Sequence, residues 1–141
     1  MLFRSIPEAI LRKPGSLTGE EIAVMQQHPD IGARILQPVP FFAELVPLVR
    51  SSHERWDGRG YPDGLVADEI PLAARIICAC DAYSAMTTDR PYRKAMPIET
   101  ALTELRDCAG TQFDSAVVDA LERVVRRELP VPVAVAVALA A

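Results

Sequence analysis

Apolar residues recur at three- and four-residue intervals along most of this chain, the period of a helix with one buried face. They alternate over a strand's length only across residues 131–137, a low-complexity Val, Ala and Pro run to which no strand is assigned. The expected fold class is all-α. Pro7 to Leu11 reads as a short turn of helix. Thr18-Gly19-Glu20-Glu21 is a capping box that should start the next helix, continued by Ile22 and Met25. His28-Pro29 interrupts it, Ile31, Ile35 and Leu36 predict a second helix directly afterwards, and Pro38 and Pro40 end that one. Phe42, Leu45, Val46 and Val49 predict a third helix to about His53, in which Pro47 marks either a kink or the true first turn. Pro71 opens a helix over 72–86 that is apolar almost all the way round, the signature of a central, buried element. Pro97 opens another through Leu102, Leu105 and Cys108, and Asp114 caps a last one carrying Val117, Val118, Leu121, Val124 and Val125.

Length and charge narrow the function classes. A chain of 141 residues, 50% hydrophobic, has the size of a single domain with one core. Fifteen basic against nineteen acidic residues leave a net charge of −4, which argues against a nucleic-acid binder that neutralises phosphates by bulk charge. Any phosphate recognition should be local. Of the three cysteines, Cys78 and Cys80 are too close for an ordinary bridge and Cys108 is remote, so a reducing cytoplasm fits best. No run approaches the ~20 apolar residues of a membrane span, and the start has no signal-peptide pattern. Residues 129–141 read as a flexible apolar tail.

The densest polar chemistry lies at residues 52–64, Ser-His-Glu-Arg-Trp-Asp-Gly-Arg-Gly-Tyr-Pro-Asp-Gly. Asp57-Gly58 and Asp63-Gly64 are turn pairs and Pro62 fixes its own φ, so the segment should be an ordered loop. Asp81 stands in the middle of the apolar 72–86 helix, where an ionised carboxylate costs several kcal/mol, to order of magnitude, unless something positive faces it. The partner is either a metal ion or Arg75, or else Asp81 lies on a solvent-facing stripe with Arg75 and Ser84. His28 and His53 are the only histidines, and each reads either as a metal ligand or as a packed or helix-end residue. Arg90, Arg93 and Lys94 could hold phosphate oxygens or form a solvated basic loop. Trp56 and Tyr61 either stack on a nucleobase or pin the loop to the core. Cys78, Cys80 and Cys108, among apolar helix residues, are assigned to packing.

Together, the 52–64 segment with its Gly60-Tyr61-Pro62 step, Asp81, and the Thr88-Asp89-Arg90-Pro91-Tyr92-Arg93 run resemble the C-terminal two-thirds of an HD-GYP domain. This is a bacterial family of metal-dependent phosphodiesterases that hydrolyse cyclic di-GMP, and the resemblance covers residues 6–126. It implies an HD-domain-like helical bundle, incomplete at its N-terminus, occupying 6–128, with 1–5 a non-native or disordered start on a truncated reading frame. It also implies that in the full-length parent His28, His53 and Asp81 are ligands of iron, manganese or zinc, spread over a multinuclear centre so that the three need not converge on one ion, with open positions that activate a water for attack on phosphorus. The fragment by itself need hold no metal. Arg90, Arg93, Lys94 and Tyr61 would lie on the substrate side.

Two departures from the family pattern bear on activity. The upstream histidine and the His-Asp pair, which active members carry before the part matching Ile6 to Leu11, are absent, and Ser52 stands where members carry a first of two consecutive histidines. The fragment is therefore expected to be inactive, with part of the Asp81 helix uncovered and a tendency to self-associate. Three readings compete: part of a cyclic di-GMP phosphodiesterase in bacterial signalling; a non-catalytic module whose Gly60-Tyr61-Pro62 loop contacts a diguanylate cyclase or receiver domain; and a phosphohydrolase for a different nucleotide.

Overall fold

Helices account for all the regular structure in the computed structural model, which describes residues 6–89 and 93–128. They run in the order α1 (Glu8–Leu11), α2 (Gly19–Met25), α3 (His28–Leu36), α4 (Leu45–Arg50), α5 (Leu72–Thr87), α6 (Ile98–Asp107) and α7 (Ser115–Glu128), with short 3-10 turns at Pro40–Phe42 and Ala67–Glu69. Among the described residues no strand forms; isolated bridges join Asp57 with Val66 and Ala109 with Phe113. The expected residues 1–5 start, the 129–141 tail and the 131–137 alternation lie outside the described residues.

Helix starts follow their sequence signals. The Thr18 hydroxyl accepts from the Glu21 amide while the Glu21 carboxylate accepts from the Thr18 amide, closing the capping box of α2. Pro29 sits in the first turn of α3, where amides have no intrahelical acceptor to lose. The same reasoning settles Pro47, the third residue of α4: it marks a first turn. Helix α4 ends at Arg50, short of the expected His53. The Ser51 amide takes the Pro47 carbonyl, and the Ser52 hydroxyl donates to the Val49 carbonyl at 2.9 Å, so the serine pair diverts the last acceptors into a turn.

The core lies between α5, α6 and α7. Leu102 and Leu105 of α6 and Val118 of α7 are almost fully buried, and Phe113 and Val117 close in around Ala79, whose small side chain lets α5 approach. The expectation of a fully buried α5 is corrected: among its residues only Ala74 and Ala79 are buried, and Leu72 and Ile76 are 57% and 43% exposed. Packing reaches α5 from α6, α7 and α4 but leaves another side of the helix open. At the margin of the α5–α7 contact, Leu72, Ile76 and Cys80 line an apolar groove with Val117, Leu121 and Val124 of α7. Exposed apolar surface on the Asp81 helix was expected. Cys80 is exposed, not packed, whereas Cys78 and Cys108 are half-buried against the core, and all three thiols are free.

Residues 52–64 are tied to this core at several points. The amides of Trp56 and Asp57 donate to the carbonyls of Gln112 and Thr111 in the α6–α7 turn, at 3.2 and 2.8 Å. Arg55 makes a paired contact with the Asp57 carboxylate and reaches Gln112 with its remaining amino group. Arg75, weighed as a partner for Asp81, does not pair with it; it pairs with the buried Asp114, which also caps α7 through the Ala116 amide, and with exposed Asp68. Its guanidinium lies 5.4 Å from the centroid of the Trp56 ring, so Trp56 pins the loop to the core.

Two outcomes follow from this packing. Leu105→Ala should destabilise the chain by about 2–5 kcal/mol in chemical denaturation, whereas Phe41→Ala, at an 87% exposed site, should change it by no more than about 0.5 kcal/mol. The Arg55 guanidinium, with the Arg59 amide, lowers the Asp57 carboxyl from 3.8 to about 2. Because the folded value is depressed, this contribution to stability is complete above pH 3.8 and is lost as pH falls toward 2. An NMR titration of the Asp57 carboxyl should place its midpoint near 2, and Arg55→Gln should return it toward 3.8.

Candidate metal centre

His28 occupies the first position of α3, held there by its own backbone neighbourhood. Its Nδ1–H donates to the Met25 carbonyl at 2.7 Å, which leaves the Nε2 lone pair facing outward from the helix start. His53 follows the α4 turn, and its Nε2 lies 2.9 Å from that of His28 although the two are twenty-five residues apart. The rings meet edge to face, with centroids 4.6 Å apart. Burial first, and then the facing His28, lower the His53 pKa from the usual histidine value, and the Asp81 charge opposes them. Imidazole kept neutral is the form that binds a cation.

This donor pair suits a transition metal. Two nitrogens held at ~2.1 Å by one ion at a right angle lie about 3 Å apart, close to the observed spacing. The expected third ligand is not drawn into the pair. Asp81 is exposed on α5, and among the described residues no three His, Cys, Asp or Glu side chains are spaced to hold one ion. The argument that a desolvated Asp81 demands a cation is therefore corrected: the open side of α5 leaves its carboxylate in water. Its charge nonetheless reaches His53. The Ser52 hydroxyl is committed to the Val49 carbonyl.

Tyr61 belongs to the same cluster. Its ring stacks on His53, with planes within 5° and centroids 5.2 Å apart, and meets the His28 ring edge-on at 6.3 Å. The Tyr61 amide donates to the His53 carbonyl at 3.2 Å, and the Tyr61–Pro62 peptide is cis. Burial raises the pKa of the phenol above the usual tyrosine value. Gly60 passes so close to the main chain of Glu54 and Arg55 that a Cβ there would collide with both. Gly58 and Gly64 carry the positive φ that their turns require.

Glu54 was missed by the sequence reading and organises the loop. It is 2% exposed, and its carboxylate accepts the amides of Asp63, Gly64 and Leu65 at 2.7, 3.1 and 3.1 Å. Nothing in local spacing marks it, because its donors lie nine to eleven positions downstream and carry no side-chain signature. Arg50 adds a second tie, a paired contact with Asp63 and an ion pair with Asp30 of α3. The Asp63 carboxylate and then Asp30 raise its pKa further above the usual arginine value.

On the expected phosphate side, Arg93 is exposed and donates to the Ala85 carbonyl at 2.8 Å, and Lys94 pairs with Asp89 at 3.2 Å in an open position. Arg90 lies outside the described residues.

A family model described as HD domain matches residues 3–117. Among curated proteins, the chain is 44% identical over 121 residues to the cyclic di-GMP phosphodiesterase response regulator RpfG of Xanthomonas campestris, covering 84% of this chain and 32% of that one. It is 42% identical over 117 residues to a cyclic di-GMP phosphodiesterase of Thermotoga maritima, covering 82% and 32%. The chain thus spans about a third of the length of these relatives. A crystal structure of a cyclic GMP-AMP specific phosphodiesterase from Vibrio cholerae shares the fold, with a TM-score of 0.66 at 21% identity over 91% of this chain and 33% of the other. The HD-GYP resemblance of residues 52–64 agrees with these relatives. The chain belongs to the HD domain family.

Proposed function

We propose that this chain forms the C-terminal part of an HD-GYP-type metal-dependent phosphohydrolase that acts in bacterial signalling on cyclic di-GMP or a related phosphodiester, in the cytoplasm. One observation carries the reading: the two histidines of the chain converge through their Nε2 atoms at 2.9 Å, and the Nδ1–H of His28 is engaged by a backbone carbonyl. That arrangement fixes a tautomer and aims a lone pair, as metal-binding imidazoles require. His28 and His53 would hold a divalent ion, iron, manganese or zinc, with Asp81 supplying negative charge from α5. When bound, such an ion supplies Lewis-acid polarisation of a phosphoryl oxygen and activation of water.

The chain's own groups do the rest. Tyr61 limits the freedom of the His53 ring by stacking on it and walls one side of the pair. Arg93, Lys94 and Arg90 would take non-bridging phosphate oxygens, the arginines through their planar forks. The 141-residue chain alone is expected to be inactive, since two imidazoles and one exposed carboxylate leave the centre short of ligands.

A second reading, a non-catalytic module contacting a diguanylate cyclase or receiver domain, draws on the exposure of Pro62 and Asp63 at the outer edge of an otherwise clamped loop. Pull-down of such a domain by the chain, abolished by Pro62→Ala, would favour it.

Isothermal titration with Mn²⁺ should show binding that His28→Ala and His53→Ala each weaken by more than the about 10–100-fold that loss of an outer-shell partner costs, since each removes a direct ligand. Wild-type protein with no affinity for Mn²⁺, Fe²⁺ or Zn²⁺ would overturn the metal assignment. Purified chain loaded with metal should release no linear product from cyclic di-GMP, and turnover would refute its inactivity.

A further inference from the structure

We infer that Glu54 is a positioning residue for the metal centre, acting through the loop it clamps and the Tyr61 ring that this loop places on His53. The inference rests on the reading of His28 and His53 as metal ligands, and its geometry comes from a different part of the site. Glu54 carries no cationic partner among the described residues; its carboxylate is satisfied by three consecutive backbone amides, Asp63, Gly64 and Leu65. A carboxylate with both oxygens engaged by main-chain donors fixes where that main chain lies, to within hydrogen-bond tolerance. Tyr61 is separated from Asp63 only by Pro62, so fixing Asp63 fixes the approach of the Tyr61 ring.

The opposite end of the loop is held just as closely. The Tyr61 amide bonds the His53 carbonyl, and Gly60 rests against the main chain of Glu54 itself. His53 and Glu54 are adjacent in the chain and point to different jobs: the imidazole faces His28, and the carboxylate faces back into the loop. One short segment thereby supplies a ligand and the anchor of the ring that stacks on that ligand. The stack is close to coplanar, which restricts rotation of the imidazole about its own axis and holds Nε2 toward His28. Asp63 is also held from outside by Arg50, so the loop is gripped on its side-chain face by an arginine and on its amide face by Glu54.

The test uses the 141-residue chain, Mn²⁺ titration and NMR. Glu54→Gln keeps the size of the side chain but turns one acceptor oxygen into an NH₂ that faces a backbone N–H. Exchange of the Asp63, Gly64 and Leu65 amides should accelerate about tenfold or more, the scale of losing a charge-assisted hydrogen bond. The ring-current shift of the His53 protons from Tyr61 should shrink, and Mn²⁺ affinity should fall about tenfold. Tyr61→Ala should lower Mn²⁺ affinity by the same factor, and the double variant should be no weaker than either single one. Additive losses would overturn the inference, because Glu54 would then act by a route other than Tyr61. So would an unchanged His53 ring-current shift in Glu54→Gln. If that variant fails to fold by circular dichroism, Gly60→Ala replaces it: its Cβ displaces the loop with the carboxylate intact, and it should reproduce the Tyr61→Ala loss or the inference fails. Should wild-type chain bind no Mn²⁺, the metal reading fails by itself, and the His53 ring-current shift then decides the positioning role: lost in Glu54→Gln it stands, retained it falls.

Discussion

A single buried carboxylate sets the geometry on which the rest of the site depends. Glu54 is withdrawn from water, a state that costs several kcal/mol, to order of magnitude, for an unpaired charge. Three loop amides offset that cost, and hydrogen bonds to charged groups are worth about 1.5–3 kcal/mol each. The balance is favourable only while the loop stays folded on itself. The turn glycines, the Arg50–Asp63 contact and the Tyr61–His53 stack are all arranged around that requirement.

The helical framework brings this loop to the imidazoles. Helices α3 and α4 pack together and carry His28 at the start of one and His53 just beyond the end of the other. The α6–α7 turn holds the far side of the loop through Gln112 and Thr111. Arg75 joins α5, the Trp56 ring and the cap of α7 in one buried polar contact. The site is therefore attached to three separate parts of the bundle.

Asp81 shows where a local argument can mislead. A carboxylate flanked by Ile76, Ile77, Cys78 and Cys80 reads as stranded in an apolar interior. In the fold, α5 is covered by neighbours on part of its circumference, and the carboxylate lies on the open part. Apolar neighbours in sequence are not apolar neighbours in space when a helix has an uncovered side. Exposure removes the desolvation penalty and with it the argument that burial demands a cation at Asp81.

Local sequence determined the features whose physics is complete within a few residues. The capping box of α2, the proline-marked starts of α3, α5 and α6, the Asp114 cap and the two Asp-Gly turns were all legible, because donor, acceptor and backbone constraint lie within one turn of each other. Residues 52–64 were legible as an ordered loop for the same reason. Tertiary structure alone decided that two histidines twenty-five positions apart share a 2.9 Å contact, that Tyr61 stacks on one of them, that Glu54 is an anchor, and that Asp81 is open to water. These depend on which faces of separate helices meet, and that is fixed by the packing of the whole core rather than by any window of the chain.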